Sequence, residues 1–166
     1  MAISKALILE ALISSLEADL AALLTSAREA HDAATNEEGR AEDQYDTRGL
    51  EASYLAGAQA KRAAELQDLI QRYKLLDLRS FAPQDPIAIT ALVEVESQGR
   101  RSLVFLVPTQ GGNTVTVEGK TVQILSSASP LGQELIGRVP GNAADAEFEV
   151  ELAGSQVREY RILAVT

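Results

Sequence analysis

Residues 4–34 read SKALILEALISSLEADLAALLTSAREAHDAA. Within them Ala6, Leu9, Ile13, Leu16, Leu20, Leu23, Ala27, Ala30 and Ala34 recur in alternating steps of three and four. That spacing keeps one apolar stripe on one side of an α-helix. Leu7, Leu12 and Leu24 widen the stripe beyond a strict coiled-coil seam. Ser4 is the N-cap candidate, and no Gly or Pro occurs before Gly39. A second stripe runs through Tyr45, Gly49, Ala52, Ala56, Gln59, Ala63, Leu66, Ile70 and Tyr73, flanked by Leu55, Leu69 and Leu76. The two stripes predict an antiparallel helical hairpin over residues 1–78, with Gly39 at the reversal, where a positive φ is tolerated. Large side chains meet at the base and alanines near the tip, so the hairpin is expected to thin as it projects. Arms of about 30 residues reach roughly 45 Å.

The tip is acidic. Between Asp32 and Asp46 stand six carboxylates (Asp32, Glu37, Glu38, Glu42, Asp43 and Asp46) against one guanidinium, Arg40. The plain reading is a solvated turn, with Glu42 and Asp43 complementing the dipole at the start of the second helix. The alternative follows from position. A long two-helix arm buries little for the entropy of ordering it, and its acids cluster at the end. Carboxylates a few residues apart can share a hard cation such as Mg²⁺, most effectively when a partner completes the ligand set.

Composition narrows the classes further. The 166-residue chain is 46% hydrophobic and 4% aromatic, with no Trp, which calls for an aliphatic, Ala-rich core. It has no Cys, which removes disulfides and thiolate metal sites. Glu10, Glu17 and Asp19 interrupt the first apolar run, so neither a signal peptide nor a membrane span is expected there, and the cytoplasm is the expected compartment. The net charge is −9, with 14 acidic and 8 basic residues in 1–78 and 10 and 7 in 79–166. No basic stripe offers a direct duplex-binding surface, so any nucleic-acid role would run through a protein partner.

Pro83 and Pro86 end the helical pattern, and residues 79–86 read as a short linker. From Ile87 the period becomes two. The expected strands are Ile89–Glu96, Ser102–Val107, Thr114–Val117, Thr121–Leu125, Glu147–Leu152 and Arg158–Val165. Turns are expected at Gln98-Gly99, at 110–113, at Glu118-Gly119 and at 153–155. Ser129, Pro130 and Gly137 bracket one short helix, Leu131–Ile136. The expected fold class is α+β: a helical hairpin, then an antiparallel sheet domain over 87–166. Residues 87–166 show no phosphate loop, no Ser/His/Asp set and no metal-ligand spacing. The one histidine, His31, lies on the hairpin and is expected at its surface. No intrinsic enzymatic activity and no resident cofactor are expected.

The run from Val122 to Asn142, VQILSSASPLGQELIGRVPGN, resembles the C-terminal domain of the GreA/GreB transcript-cleavage factors. There a strand leads into Ser-Pro, a short helix, Leu-Ile-Gly-Lys/Arg and a Gly-Asp-type turn. Val104–Pro108 and Tyr160–Val165 fit the flanking strands, and a coiled coil in front is the family's arrangement. The resemblance implies an FKBP-like second domain that docks on bacterial RNA polymerase, with Ser129, Pro130, Leu135, Ile136, Gly137 and Arg138 as docking candidates. It implies a coiled coil entering the secondary channel and carrying acids toward the catalytic Mg²⁺, which would be shared only in the complex. Nascent RNA would be met only through the polymerase. The metal-directed candidates are Glu38, Glu42, Asp43 and Asp46. Glu42-Asp43-Gln44-Tyr45 sits near the place of the family's Asp-x-x-Glu-Asn-x-Glu-Tyr relative to the second helix, which suggests Glu42 for its Glu; the Asp position falls near Glu38 or Gly39, where this chain has no Asp. The implied role is stimulation of transcript cleavage in backtracked complexes, or occupation of the channel without cleavage.

Two other classes stand beside this. An FKBP-like prolyl isomerase or chaperone needs an aromatic-lined pocket, for which Phe81, Phe105, Phe148 and Tyr160 are the material. A structural module would dimerise through Leu7, Leu12 or Leu24, whereas the factor reading expects a monomer.

Overall fold

The computed structural model describes residues 3–37, 48–152 and 156–166, with side chains from 3–32, 55–152 and 156–166. The long apolar stripes form helices α1 (Lys5–Glu37) and α2 (Arg48–Lys74). Along α2, Ala56, Gln59, Ala63, Leu66, Ile70 and Tyr73 of the expected stripe are buried or half-buried, as is the flanking Leu69, whereas the flanking Leu55 is exposed. On α1 the stripe is rotated at its start. Ile8 and Leu12 are fully buried, Ala6 is exposed and Ile13 is only half-buried. Spacing alone does not choose between adjacent apolar residues such as Leu12 and Ile13. The helices run antiparallel: Glu17, early on α1, pairs with Lys74 at the end of α2 at 2.7 Å. Leu12, Leu16, Leu69, Ile70 and Tyr73 are buried near that end, while Leu20, Leu23 and Ala27 farther along are half-buried.

The chain divides into two compact units, Leu12–Leu76 and Met1–Ala11 with Asp77–Thr166. The first residues of the chain therefore group with the sheet. In that unit Lys5 donates to the Arg79 carbonyl, and its Nζ lies 5.1 Å from the centre of the Phe81 ring. Burial holds the Lys5 ammonium below the usual lysine range.

The sheet is built from β1 (Leu92–Ser97), β2 (Arg100–Val107), β3 (Thr114–Val117), β4 (Lys120–Ser126), β5 (Glu147–Leu152) and β6 (Gln156–Val165), in the order β3-β4-β2-β1-β6-β5. Each expected strand is present within a few residues of its expected limits. The largest shift is at the first, which starts at Leu92 rather than Ile89 because Thr90 takes a φ of +73°. Gln98-Gly99 and Glu118-Gly119 carry positive φ at both turn residues, the twist that suits two-residue hairpins.

The sheet is not wholly antiparallel. β4 lies parallel to β2, with Leu103 opposite Val122 and Phe105 opposite Ile124, and β3 forms the edge beyond it. The 108–113 loop must therefore pass over the end of β4. It does so at Gly111, where a Cβ would overlap the Ser126 backbone nitrogen, and the Gly112 N–H donates to the Ile124 carbonyl at 2.7 Å. Local period gives no information on which strands become neighbours.

Both sheet faces are buried near the centre. One face holds Phe81, Ile87, Val93, Val95, Val104, Leu106 and Ile162, packed with Leu131 and Leu135 of helix α3 (Pro130–Leu135). On the other face Leu92, Phe105, Val115, Val122 and Ile124 are buried in register with one another. Residues 79–86 pack as part of this unit. Phe81 belongs to the core, and the Pro83 carbonyl accepts from the Gly141 N–H at 2.7 Å. A further helical turn, α4 (Ala143–Ala146), is capped by the Asn142 side chain. The sequence pattern predicts one short helix in this domain, and α4 is a second.

Candidate partner-binding site

The Val122–Asn142 segment is organised by side chain to backbone hydrogen bonds. As β4 ends, Ser127 Oγ donates to the Pro108 carbonyl at 2.8 Å, and Ser126 Oγ accepts from the Ala128 N–H at 3.1 Å. Ser129 has the extended conformation of an N-cap (φ −71°, ψ 153°), and its Oγ accepts from the Gly132 N–H at 3.1 Å. The same hydroxyl donates to the Ser126 carbonyl at 2.7 Å. Pro130 follows in the first helical position, where its missing N–H costs nothing. Gly132 is required by close packing, since a Cβ there would overlap the Ser126 carbonyl oxygen.

The helix stops as sharply as it starts. The Ile136 N–H donates to the Gly132 carbonyl at 3.1 Å, and Gly137 reverses the chain with φ +86°, a conformation costly for any residue with a Cβ. Arg138 then folds back over the helix end. Its Nε donates to the Glu134 carbonyl at 2.6 Å, and Nη2 pairs with Glu134 Oε2 at 2.8 Å. Its guanidinium lies 4.4 Å from the Phe148 ring centre, a cation–π contact.

This sorts the six docking candidates. Leu135 is fully buried in the sheet core and holds the helix in place, so no partner meets it directly. Ser129 is half-buried and engaged as the cap, and Arg138 is half-buried and engaged with Glu134 and Phe148. Pro130, Ile136 and Gly137 are exposed. Ile136, at 39% exposure, is the large apolar side chain that this capped turn turns outward, with the Glu134–Arg138 ion pair flanking it in sequence. An exposed aliphatic side chain on a backbone fixed at both ends is pre-organised for contact with a protein surface. The Ser-Pro and Gly signals mark the segment in the sequence, but which of its residues support the turn and which face outward depends on the sheet beneath.

The tip candidates Glu38, Glu42, Asp43 and Asp46 lie outside the described residues. His31 and Asp32, farther down α1, are both exposed. Among the described residues no group of three or more His, Cys, Asp or Glu side chains is placed to hold a metal ion. No described helix is long and apolar enough to cross a membrane.

No family model matches the chain, and no curated protein does. Solved structures are similar to it. The GreA factor homolog 1 (Gfh1) protein of Thermus thermophilus aligns over 93% of this chain and 94% of its own, with 22% identity and a TM-score of 0.36. Gfh1 of Thermus aquaticus aligns over 92% of each chain at 23% identity and a TM-score of 0.36. A further structure of the transcription factor Gfh1 covers 93% of each at 23% identity and a TM-score of 0.37. The family resemblance rests on the residues of 122–142 and on the order of the elements.

The remaining surface features bear on the other two classes. Phe81, Phe105 and Phe148 are buried, and Tyr160 stacks on Phe148 at 5.8 Å between ring centres. A cavity of about 390 Å³ beside that pair is rimmed by Glu96, Glu147, Glu149 and Glu159, which does not suit the apolar pocket that a prolyl isomerase needs. Of the leucines considered for self-association, Leu7 and Leu24 are exposed and Leu12 is fully buried.

Proposed function

We propose that this chain is a divergent member of the GreA/GreB family that binds bacterial RNA polymerase. In this reading the sheet unit is the anchor, and Pro130, Ile136 and Gly137 form its contact surface. The hairpin enters the secondary channel, and the carboxylates around Glu42 meet the catalytic Mg²⁺ there. The factor contributes acids to a metal held by its partner and has no chemistry of its own. Nascent RNA is reached through the polymerase. A helix of 33 residues spans about 50 Å, which gives the reach such an insertion needs.

The observation that carries the proposal is the 122–142 segment. Its sequence has the family's strand, Ser-Pro, helix and Leu-Ile-Gly-Arg pattern, and it folds as a doubly capped helix that turns Ile136 outward. The test is co-elution of the purified chain with core RNA polymerase at low salt. Ile136→Asp should weaken binding at least about tenfold, as expected for an apolar contact residue, with the circular dichroism spectrum unchanged. A wild-type chain that does not co-elute refutes the docking reading. A backtracked complex then separates the two roles. Release of a 3′ RNA fragment by wild type and not by Glu42→Ala marks a cleavage factor; no release marks a channel occupant that modulates transcription.

A further inference from the structure

We infer that residues 79–90 form a strap coupling the Ile136–Arg138 turn to the first turn of α1, rather than a free linker. At one end the Arg79 carbonyl accepts from Lys5 Nζ, and the Arg79 guanidinium and the Lys5 ammonium lie 5.2 and 5.1 Å from the centre of the Phe81 ring. Phe81 itself is buried in the sheet core. At the other end Ile87 is laced to the docking turn in both directions. Its N–H donates to the Arg138 carbonyl at 2.9 Å, and its carbonyl accepts from the Gly137 N–H at 2.8 Å. Between these ends the Ala82 N–H is held by the Asp85 carboxylate at 2.8 Å, and the Pro83 carbonyl by Gly141.

Thr90 closes the strap on itself. It is buried, β-branched and at φ +73°, a conformation such a residue keeps only where its surroundings enforce it. Its N–H donates to the Leu106 carbonyl at 2.8 Å and its Oγ1 accepts from the Arg79 N–H at 3.2 Å. The strap is therefore hydrogen-bonded along its length, with a strained residue where it enters the sheet. Loosening either end should loosen the other, because both share one backbone segment. The use of this coupling in partner binding rests on the docking reading above; the coupling itself does not.

Amide hydrogen exchange on the full chain, without any partner, tests it. Lys5→Met, which removes the ammonium and keeps the chain length, should speed exchange at Ile87 and Gly137 about fivefold, the factor that accompanies one net hydrogen bond. Gly137→Ala should do the same at Arg79. Amides of β3, which pairs only with β4, and of α2 serve as controls and should keep their wild-type rates. Should Gly137→Ala not fold, Lys5→Met decides alone. Effects confined to the mutated end, or spread equally through β3 and α2, overturn the inference. Failure of co-elution with polymerase leaves these exchange rates as they are, so the two readings fail separately.

Discussion

The helical and sheet units bury their side chains by different means. In Leu12–Leu76 the fully buried residues gather where Glu17 meets Lys74, and farther along the stripe becomes Ala, Gln and half-buried Leu. In the sheet unit β2 is buried on both faces over Val104–Val107 and β1 at Leu92 and Val93, and α3 is fixed on one of these faces by Leu131 and Leu135. A helix in a two-helix seam gains most of its stability from a narrow stripe. A strand buried on both sides gains from every residue. The sheet unit is thus built to hold a small surface still, whereas the helices use few large residues for their length.

Substitutions should expose that contrast. Leu135→Ala removes a fully buried core side chain beneath the Ile136–Arg138 turn and should cost about 3 kcal/mol in urea unfolding, with the loss read at sheet amides. Leu12→Ala, also fully buried, should cost about 2 kcal/mol, because helices in a thin seam can close part of the space left behind. If Leu12→Ala costs more than Leu135→Ala, the contrast between the units is reversed. Ser129→Ala should cost about 1 kcal/mol through loss of the cap while leaving the sheet core intact, and under the proposed function it should also weaken polymerase binding. Gly57→Ala should be the smallest change and of opposite sign. Gly57 is exposed within α2, with nothing within 4 Å of an added Cβ, so alanine should stabilise the helix by about 0.5–1 kcal/mol. Slower exchange along α2, with sheet amides unchanged, would check it.

The contrast also explains what was legible in the sequence. Helical period repeats over many residues, so the stripes of α1 and α2 were readable, and the error at Leu12 and Ile13 is a rotation of one position. The strands were readable because Gln98-Gly99 and Glu118-Gly119 mark hairpins locally. The parallel insertion of β4 beside β2 was not, since strand order is set by contacts distant in sequence. Its one local trace is the Gly111-Gly112 pair that crosses the end of β4. Residues 79–86 read as a linker because Pro83 and Pro86 end a helix, yet Phe81 in their midst is an apolar anchor that marks a packed segment. At the site, Ser129, Pro130 and Gly137 announced the helix and its limits. That Leu135 points inward and Ile136 outward required knowing which face the sheet covers.

The position of β6 has a consequence for synthesis. It lies between β1 and β5, pairing with Val93 and Glu96 on one side and Phe148 and Val150 on the other. A ribosome releases β1 long before it releases β6, and at about 5–20 residues per second the interval lasts several seconds. During that time β1 has only β2 beside it and offers an open backbone edge to any other chain. The helices, made first and paired with each other, do not wait. Expression of this protein should therefore be limited by how well the cell shields a half-built sheet.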